Sequence, residues 1–408
     1  MEHFITGIHI AKVRHLENVD IPLGNEKRKH LILTGKNGSG KTSVLEGIKS
    51  SISLLTHDSQ TWVSLDGGQS RFLNSLKQAI ESNPDLKGYN NWSVSDIRIL
   101  FNSNGIDLSN SIRNGKFITA YFPANRTTTI SNPNGVEDVK LNRMYPIEQS
   151  PVKDFVKYLV HLKTQQSYAR NEGDLRTEVR IENWFNIFIE AIQKLMDDSS
   201  IKLKFDYKNY NFFILQKSRE QYDFSQLSDG YSAAICIVAD LMMRLDQNWL
   251  LNNRDMSYDI EGIALIDEIE THLHLELQKT ILPFLTKMFP RIQFIVTTHS
   301  PFVVSSLDNA VVYDLENKTM IDGGLTNYAY DSVVEGYFRV DKLSNEMREK
   351  YSRYKELVKK KDLTDDDLNE IMDLELYLDE IPDYLALDIA SEYSKMKLEF
   401  DNREDIHG

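Results

Sequence analysis

The segment GKNGSGKTS, residues 35–43, has the residue types and spacing of a phosphate-binding loop. Gly35, Gly40, Lys41 and Thr42 fit the pattern G-x-x-x-x-G-K-[ST]. Glycines let the backbone curl until successive N–H groups point at phosphate oxygens, and the following helix adds its positive end. Lys41 would reach the β- and γ-phosphates, and the Thr42 hydroxyl would ligate Mg²⁺. We therefore expect a nucleotide site built from Gly35, Lys36, Asn37, Gly38, Ser39, Gly40, Lys41, Thr42 and Ser43.

Two carboxylates follow a short apolar run in the segment EGIALIDEIETHLH. Residues 263–266 predict a buried strand, and Asp267 and Glu268 stand at its carboxyl end, where open α/β sheets bind ligands. We expect Asp267 to hold Mg²⁺ through water and Glu268 to act as the general base on the attacking water. The alternative for the pair by itself is two solvated residues at a strand end.

A histidine follows a second apolar run, in IQFIVTTHSPFVVSS. Residues 292–296 predict another strand, and His299 lies just past its end. At that place a histidine can hydrogen-bond a γ-phosphate and sense whether it is present. A structural role is the alternative for a histidine taken alone, and its position shortly after the carboxylate-bearing strand favours the catalytic reading.

The segment LSDGY stands between the loop and these two strands. Ser228, Asp229 and Gly230 precede a long stretch with apolar residues at helical spacing. One interpretation is a capped helix start with Ser228 as the N-cap. The other is a second phosphate-binding helix N-terminus, one that serves a nucleotide bound to another subunit.

The order GKNGSGKT, LSDGY, LIDE and TTHS resembles the ABC-type ATPase domain of the RecF/SMC/OLD group. LSDGY is similar to that group's signature, TTHSP to its switch-histidine segment, and DEIETHLH to the stretch that carries the dimer-contacting loop. The resemblance implies head-to-tail dimers with two ATP molecules and Mg²⁺ at the interface. Ser228 and Gly230 would then touch the γ-phosphate held by the other protomer.

The elements that position these motifs predict an α/β fold, an ABC-type P-loop ATPase with a mixed sheet. We expect an N-terminal β-hairpin, an ATPase core over 1–56 and 201–325 with a further strand at 116–122, and a helical insertion over 57–115 and 127–200. Residues 326–408 predict a C-terminal helical subdomain for partner docking. Apolar residues at helical spacing predict a helix near residues 70–83, an apolar stripe from Ile181 to Leu195 and another from Leu385 to Phe400. Thr364 and Asp367 have the spacing of a capping box, and residues 310–317 predict one more strand. Three assignments stay open. Arg14 or His15 could contact the base, with a solvated turn as the favoured alternative, and Arg126 could face the nucleotide, face a partner or be a surface arginine at a loop start. The lid glutamine could be Gln149, Gln165 or Gln166.

Composition narrows the class of protein. The chain has 408 residues, 41% of them hydrophobic, and a net charge of −14, which argues against a protein that coats nucleic acid indiscriminately. No apolar run is long enough to span a membrane, and the N-terminal residues do not read as a signal peptide. The single cysteine cannot form an internal disulfide, which suits a reducing cytoplasm. We expect a cytoplasmic protein without a membrane partner.

The whole-chain pattern is similar to stand-alone ATPase subunits of bacterial and phage defence operons, of the Septu-type or retron-associated kind. The resemblance implies an ATPase that assembles as a homodimer or higher oligomer and controls a separate effector nuclease, with an HNH-type nuclease favoured. Acidic LTDDDLNE at 363–370 stands at a predicted helix start, and no Cys/His metal spacing is present, so nuclease chemistry would come from another chain. Contact with DNA or RNA through the complex stays open. The alternatives are a RecF-like DNA-repair clamp and a non-enzymatic scaffold stabilised by ATP.

Overall fold

A computed structural model describes residues 2–54, 96–103, 105–126, 133–217, 219–252, 260–326, 345–379 and 387–402. Its residues divide into two compact units, Met1–Tyr330 and Asp331–Gly408. Both the helix expected near residues 70–83 and Leu385 of the last predicted apolar stripe lie outside the described residues. No described helix has the length and apolar character needed to cross a bilayer.

The strands of the first unit fall into three sheets. They are β1 (Ile5–Val13), β2 (Leu16–Pro22), β3 (His30–Thr34), β4 (Ile97–Phe101), β5 (Phe117–Phe122), β6 (Lys202–Asp206), β7 (Asn211–Gln216), β8 (Arg219–Asp223), β9 (Glu261–Ile266), β10 (Ile292–Thr297), β11 (Ala310–Asp314) and β12 (Thr319–Asp322). The helices are α1 (Lys41–Ser53), α2 (Gly105–Arg113), α3 (Phe155–Glu172), α4 (Leu175–Leu195), α5 (Asp229–Asn252), α6 (Leu275–Met288) and the short α7 (Pro301–Val304).

The central sheet has the strand order β12-β11-β3-β10-β9-β5. Five neighbouring strands run parallel, and β12 pairs antiparallel at one edge. Every residue of β3, β9, β10 and β11 is buried. A parallel sheet is covered on both faces, which is why these strands read as continuous apolar runs rather than as alternating patterns. The expected α/β fold with a mixed sheet is confirmed.

A second sheet, with the order β2-β1-β4, lies at the N-terminus. Its β1–β2 hairpin is the one the sequence predicts. Residues 97–101, within the expected helical insertion over 57–115, form a strand instead, because β4 pairs antiparallel with β1 and buries Ile97. Only five residues long and surrounded by polar sequence, β4 gives a weak local signal, and pairing with β1 across more than eighty residues is what forms it.

Helices α3 and α4 pack against one another. In the sequence they lie between β5 and β9 of the central sheet. The apolar stripe expected on α4 is confirmed, with Ile181, Trp184, Phe185, Phe188, Ile192 and Leu195 all buried. The third sheet, β6-β7-β8, follows α4 and leads to α5. Phe212 of β7 stacks on Phe185 of α4, which joins the helical pair to this sheet.

The second unit contains helices α8 (Asn345–Leu357), α9 (Asp365–Asp379) and α10 (Leu387–Asp401) around their own apolar cluster. The capping box expected before α9 is confirmed: the Thr364 N–H donates to Asp367 Oδ2 at 2.9 Å, and the Asp367 N–H donates to Thr364 Oγ1 at 3.3 Å. Tyr393, Met396 and Phe400 of the predicted stripe on α10 are buried in the cluster.

Candidate active site at the carboxyl edge of the central sheet

The motif residues meet at one edge of the central sheet. Parallel strands end at the same edge, so the residues that follow β3, β5, β9 and β10 are brought together although the sequence separates them. Two segments there are named as follows: the phosphate loop is residues 35–43, and the carboxylate turn is residues 267–273.

The phosphate loop joins β3 to α1 and has the curled backbone expected of it. Gly35, Gly38 and Gly40 have φ values of 138°, 86° and 95°, which place all three in the left-handed region. Lys41 begins α1, and its Nζ atom folds back to donate to the carbonyls of Gly35 at 2.9 Å and Lys36 at 3.1 Å. Burial lowers the pKa of Lys41, while nearby carboxylates raise it. The loop therefore presents a shielded cation together with a helix N-terminus, which is an anion site.

Thr42 and Asp267, the two residues expected to hold Mg²⁺, contact each other. The exposed Thr42 hydroxyl is 3.2 Å from Asp267 Oδ1, across 225 residues of sequence. Thr297 Oγ1 donates to the same carboxylate oxygen at 2.5 Å. A hydroxyl beside a buried carboxylate at a phosphate loop is an all-oxygen donor set of the kind Mg²⁺ prefers, so these residues fit the ion that the fold implies.

The carboxylate turn holds Glu268 in an unusual backbone conformation. Its φ is +44°, in the left-handed region that costs a non-glycine residue about 1–2 kcal/mol. The Glu268 N–H donates to Thr297 Oγ1 at 2.7 Å, and its carbonyl accepts from the Thr271 N–H at 2.9 Å. The Thr271 hydroxyl lies 3.3 Å from Glu268 Oε2. The half-buried carboxylate is thus held at the sheet edge beside Asp267, where a general base is expected.

His299 is half-buried next to the same group of residues. Its backbone N–H donates to Glu270 Oε1, which ties the end of β10 to the carboxylate turn. Burial lowers the pKa of the His299 side chain, and the positive charge of Lys41 lowers it further. The ring is therefore neutral at neutral pH and lies within the electrostatic reach of Lys41.

Arg126 reaches the carboxylate turn from the loop that follows β5. Its guanidinium donates to the carbonyls of Asp267 at 2.6 Å, Glu268 at 2.9 Å and Ile269 at 3.3 Å. The half-buried side chain therefore lies against the carboxylate turn rather than on the open surface, and its facing a nucleotide or a partner stays a prediction. As for the lid glutamine, the Gln149 carbonyl accepts from Arg244 and the Gln166 side chain accepts from Lys163, which does not distinguish the candidates.

The LSDGY segment forms the start of α5 and packs on the carboxylate turn. Ser228 and Asp229 are exposed, whereas Gly230 is buried. A Cβ atom on Gly230 would stand 2.3 Å from the His272 carbonyl oxygen, so only glycine allows this close approach. His272 itself has φ +64°. Ser228, Asp229 and the exposed His272 consequently form one continuous surface.

The turn of the β1–β2 hairpin lies over the phosphate loop. His15 Cε1 is 4.0 Å from the place that a Cβ atom on Gly40 would occupy, and Leu16 Cδ1 is 3.3 Å from it. Arg14 adopts φ +54°, and both Arg14 and His15 are exposed. Side chains of this turn are thus close to the phosphate loop, and a contact of Arg14 or His15 with the base stays a prediction.

Sequence reasoning missed three polar residues of the site. Thr297 contacts both Asp267 and the Glu268 backbone, and Glu270 accepts from the His299 N–H. Asp314 is the last residue of β11 and lies close to the phosphate loop. The Asp314 Oδ1 atom lies 3.2 Å from the place of a Cβ on Gly35. Each follows or ends a predicted strand of the parallel sheet, and that position was the signal available.

Fold and motifs together define an ABC-like P-loop ATPase domain. The phosphate loop, the LSDGY segment, the Asp267–Glu268 pair and His299 occur in the order expected from the resemblance, together with a mixed α/β sheet. Residues 31–305 match the family described as "AAA domain, putative AbiEii toxin, Type IV TA system". The chain belongs to this family.

Curated relatives carry the names of defence-system proteins. The Septu protein PtuA of Bacillus mycoides is 27% identical over 339 residues, covering 78% of this chain and 41% of the relative. The Retron Ec83 probable ATPase of Escherichia coli is 38% identical over 152 residues, covering 36% of this chain and 27% of the relative. The chain thus spans less than half the length of these two relatives. The sequence-based resemblance to Septu-type and retron-associated ATPases is confirmed.

Solved structures with a similar arrangement include the crystal structure of the SmcHead bound to the C-winged helix domain of ScpA. Its TM-score is 0.39 at 12% identity, covering 78% of this chain and 96% of that chain.

Proposed function

We propose that this chain binds and hydrolyses ATP as the regulatory subunit of a bacterial defence complex. The observation that carries the proposal is the contact of Thr42 with Asp267 at 3.2 Å, with Lys41 and Glu268 on either side of it. A phosphate loop, a metal-binding pair and a general base at one sheet edge are the components that phosphoryl transfer to water requires.

Nucleotide binding exchanges hydrogen bonds within the phosphate loop. The Lys41 ammonium now donates to two loop carbonyls, and it would donate to the β- and γ-phosphates instead. Mg²⁺, held by Thr42 and Asp267, would neutralise phosphate charge in the transition state. The backbone N–H groups of residues 38–41 and the start of α1 would bind the remaining oxygens.

Hydrolysis requires a base and a polar group at the γ-phosphate. Glu268 would accept the proton of the attacking water, since its carboxylate stands beside the Asp267 site. His299, kept neutral by burial and by Lys41, would donate a hydrogen bond to the γ-phosphate without adding a second charge. Contact through the Glu270 side chain would make the position of His299 sensitive to the state of the carboxylate turn.

Head-to-tail dimerisation would complete the site. Ser228 and Asp229 are exposed at the start of the 24-residue helix α5. They are not part of the phosphate loop of their own chain. A helix N-terminus with a serine and a close glycine suits the γ-phosphate of a second protomer. The surface that Ser228 shares with the carboxylate turn supports this arrangement, because one face would carry both.

The defence role rests on the relatives, which include a Septu protein and a retron probable ATPase. We propose that the partner which this chain regulates is a separate effector nuclease of HNH type. The helical unit formed by α8, α9 and α10, predicted over 326–408, is our candidate for the docking surface.

Turnover and dimerisation test the enzymatic part. Wild-type chain and the Ser228→Arg variant should bind ATP equally as monomers, whereas only the wild type should form an ATP-dependent dimer in light scattering and release phosphate. Equal turnover in the Ser228→Arg variant would refute the role in trans. Absence of ATP turnover in the wild type would refute the proposed activity.

Isolation of the chain from its own host tests the regulatory part. A tagged chain, expressed from its native locus and purified with and without ATP, should bring down a nuclease that mass spectrometry identifies. The nuclease activity should be low with ATP and should rise as ATP is depleted. Recovery of DNA and repair factors alone would favour a RecF-like clamp and remove the nuclease from the proposal.

A further inference from the structure

The proposed function gives no role to Arg126. Its guanidinium nevertheless contacts the carboxylate turn, which carries Asp267 and Glu268. Its two terminal nitrogens donate to three successive carbonyls, those of Asp267, Glu268 and Ile269, at 2.6, 2.9 and 3.3 Å. The planar fork of an arginine can address several acceptors in a fixed geometry, whereas a lysine offers a single nitrogen. Three consecutive carbonyls directed at one side chain require a backbone that is already turned.

Arg126 donates to the part of the backbone that is strained, at Glu268. Glu268 has φ +44°, and a left-handed residue that is not glycine persists only where its surroundings hold it. Its N–H is held by Thr297 Oγ1, and its carbonyl by the Thr271 N–H and by Arg126. Arg126 thus supplies a side-chain hydrogen bond to the carbonyl of this strained residue.

The loop that carries Arg126 is itself fixed to the sheet. The Asp267 N–H donates to the Phe122 carbonyl at 2.8 Å, which extends the pairing of β5 with β9 up to the turn. Arg126 also donates to the Pro123 carbonyl of its own loop at 3.2 Å. Residues 122–126 and the carboxylate turn are thus cross-linked by backbone and side-chain hydrogen bonds on both sides.

The charge of Arg126 matters as well as its geometry. Burial lowers the pKa of the guanidinium, and Glu270, Asp267 and Glu268 raise it. An arginine stays protonated at physiological pH under either influence. One fixed positive charge beside three carboxylates reduces their mutual repulsion, which favours their placement in one turn.

We propose that Arg126 is a positioning residue for ATP hydrolysis, which holds the carboxylate turn in the conformation that aims Glu268 at the attacking water. This inference rests on the proposed function. It differs from a phosphate-binding role, because the guanidinium donates to carbonyls of the carboxylate turn. It follows that Arg126 controls the chemical step and leaves the affinity for ATP to the phosphate loop.

Variants at position 126 test the inference through two readouts. In the Arg126→Ala variant we expect kcat to fall about 100-fold while KM and the affinity for a fluorescent ATP analogue stay within threefold, since a misplaced catalytic group costs about that factor. The Arg126→Lys variant, which keeps charge without the fork, should recover part of kcat. Added methylguanidinium should raise the turnover of Arg126→Ala. The control is Arg170→Ala on α3, an exposed arginine paired with Glu178, which should behave as wild type.

Hydrogen exchange followed by mass spectrometry separates this inference from the activity it rests on. A peptide covering residues 261–274 should exchange about tenfold faster in Arg126→Ala than in wild type, and it should be unchanged in Arg170→Ala. Unchanged exchange in that peptide, or equal kcat in all variants of an active enzyme, would overturn the positioning role. If Arg126→Ala lost ATP affinity and kcat in parallel, the positioning role would be overturned in favour of a direct contact between Arg126 and a phosphate of ATP. Faster exchange in a chain whose wild type shows no turnover would refute only the activity.

Discussion

The phosphate loop and the carboxylate turn lie at the same edge of the sheet but obtain their shapes in different ways. In the phosphate loop the left-handed positions are glycines, Gly35, Gly38 and Gly40. In the carboxylate turn they are Glu268 and His272, residues that pay about 1–2 kcal/mol for that conformation. The loop can therefore adopt its shape from local sequence, whereas the turn depends on contacts from elsewhere in the chain.

Those contacts come from three separate parts of the sequence. Thr297 supplies an acceptor at the end of β10, Arg126 supplies donors from the loop after β5, and Gly230 gives room at the start of α5. We expect substitutions in the loop to act on nucleotide binding and substitutions around the turn to act on turnover. Each prediction below either breaks or sharpens that division.

Removal of the Lys41 ammonium should have the largest effect. The Lys41→Ala variant loses charge-assisted hydrogen bonds to two phosphates, each worth about 1.5–3 kcal/mol, so we expect ATP affinity to fall about 1,000-fold in equilibrium binding. The control Lys287→Ala removes an exposed lysine from the last turn of α6 and should bind normally. Unchanged ATP affinity in Lys41→Ala would remove the phosphate loop from the site.

Neutralisation of Glu268 should separate chemistry from binding. The Glu268→Gln variant keeps the size and hydrogen-bonding capacity of the side chain but cannot accept the proton, so we expect single-turnover hydrolysis to slow about 100-fold with ATP affinity within threefold. The ATP-bound dimer should accumulate and be visible by light scattering. A variant that hydrolyses ATP at the wild-type rate would transfer the base role to another residue, and one that still controls the partner would favour the scaffold alternative.

A methyl group on Gly230 should disturb the carboxylate turn from outside. Its Cβ would stand 2.3 Å from the His272 carbonyl, and the shift it forces should cost about 3 kcal/mol of unfolding free energy and reduce turnover more than ATP affinity. Gly135→Ala is the matched control, because a Cβ at Gly135 meets nothing within 4 Å. Equal urea-unfolding midpoints for the two variants would contradict the close approach.

A titration at the amino end of β3, the end away from the phosphate loop, should have the smallest effect. His30 Nδ1 accepts from the Phe294 N–H at 3.0 Å, and burial lowers the pKa of His30 to about 3. The unfolded chain, with an ordinary histidine pKa near 6.5, takes up a proton first, so folding stability is lost as pH falls from about 6.5 towards 3. Between pH 7 and pH 5 the loss is about 2 kcal/mol.

The His30→Asn variant checks that assignment, because its amide oxygen can replace Nδ1 as the acceptor without titrating. Urea unfolding at pH 7 and pH 5 should show about 2 kcal/mol less acid sensitivity than in wild type. The same acid sensitivity in both proteins would show that a group other than His30 titrates.

Sequence alone predicts those parts of the molecule whose signal is local. The phosphate loop has its glycines in register, and β3, β9, β10 and β11 are continuous apolar runs, so the central sheet and the residues at its carboxyl edge are predictable. Strand β4 was not predicted, because five residues with mixed polarity form a strand only through pairing with β1. The sequence pointed to Arg126 but not to what it contacts, since the carbonyls to which it donates are 141 to 143 residues away.

The place of β3 in the sheet also sets when the site can form during synthesis. Strand β3 ends at Thr34, but both of its neighbours, β10 and β11, are translated more than 250 residues later. At translation rates of about 5–20 residues per second, the segment that contains the phosphate loop waits roughly 13–50 s for those partners. Until then the nascent chain carries an early apolar strand without its sheet, a period in which it depends on protection from aggregation.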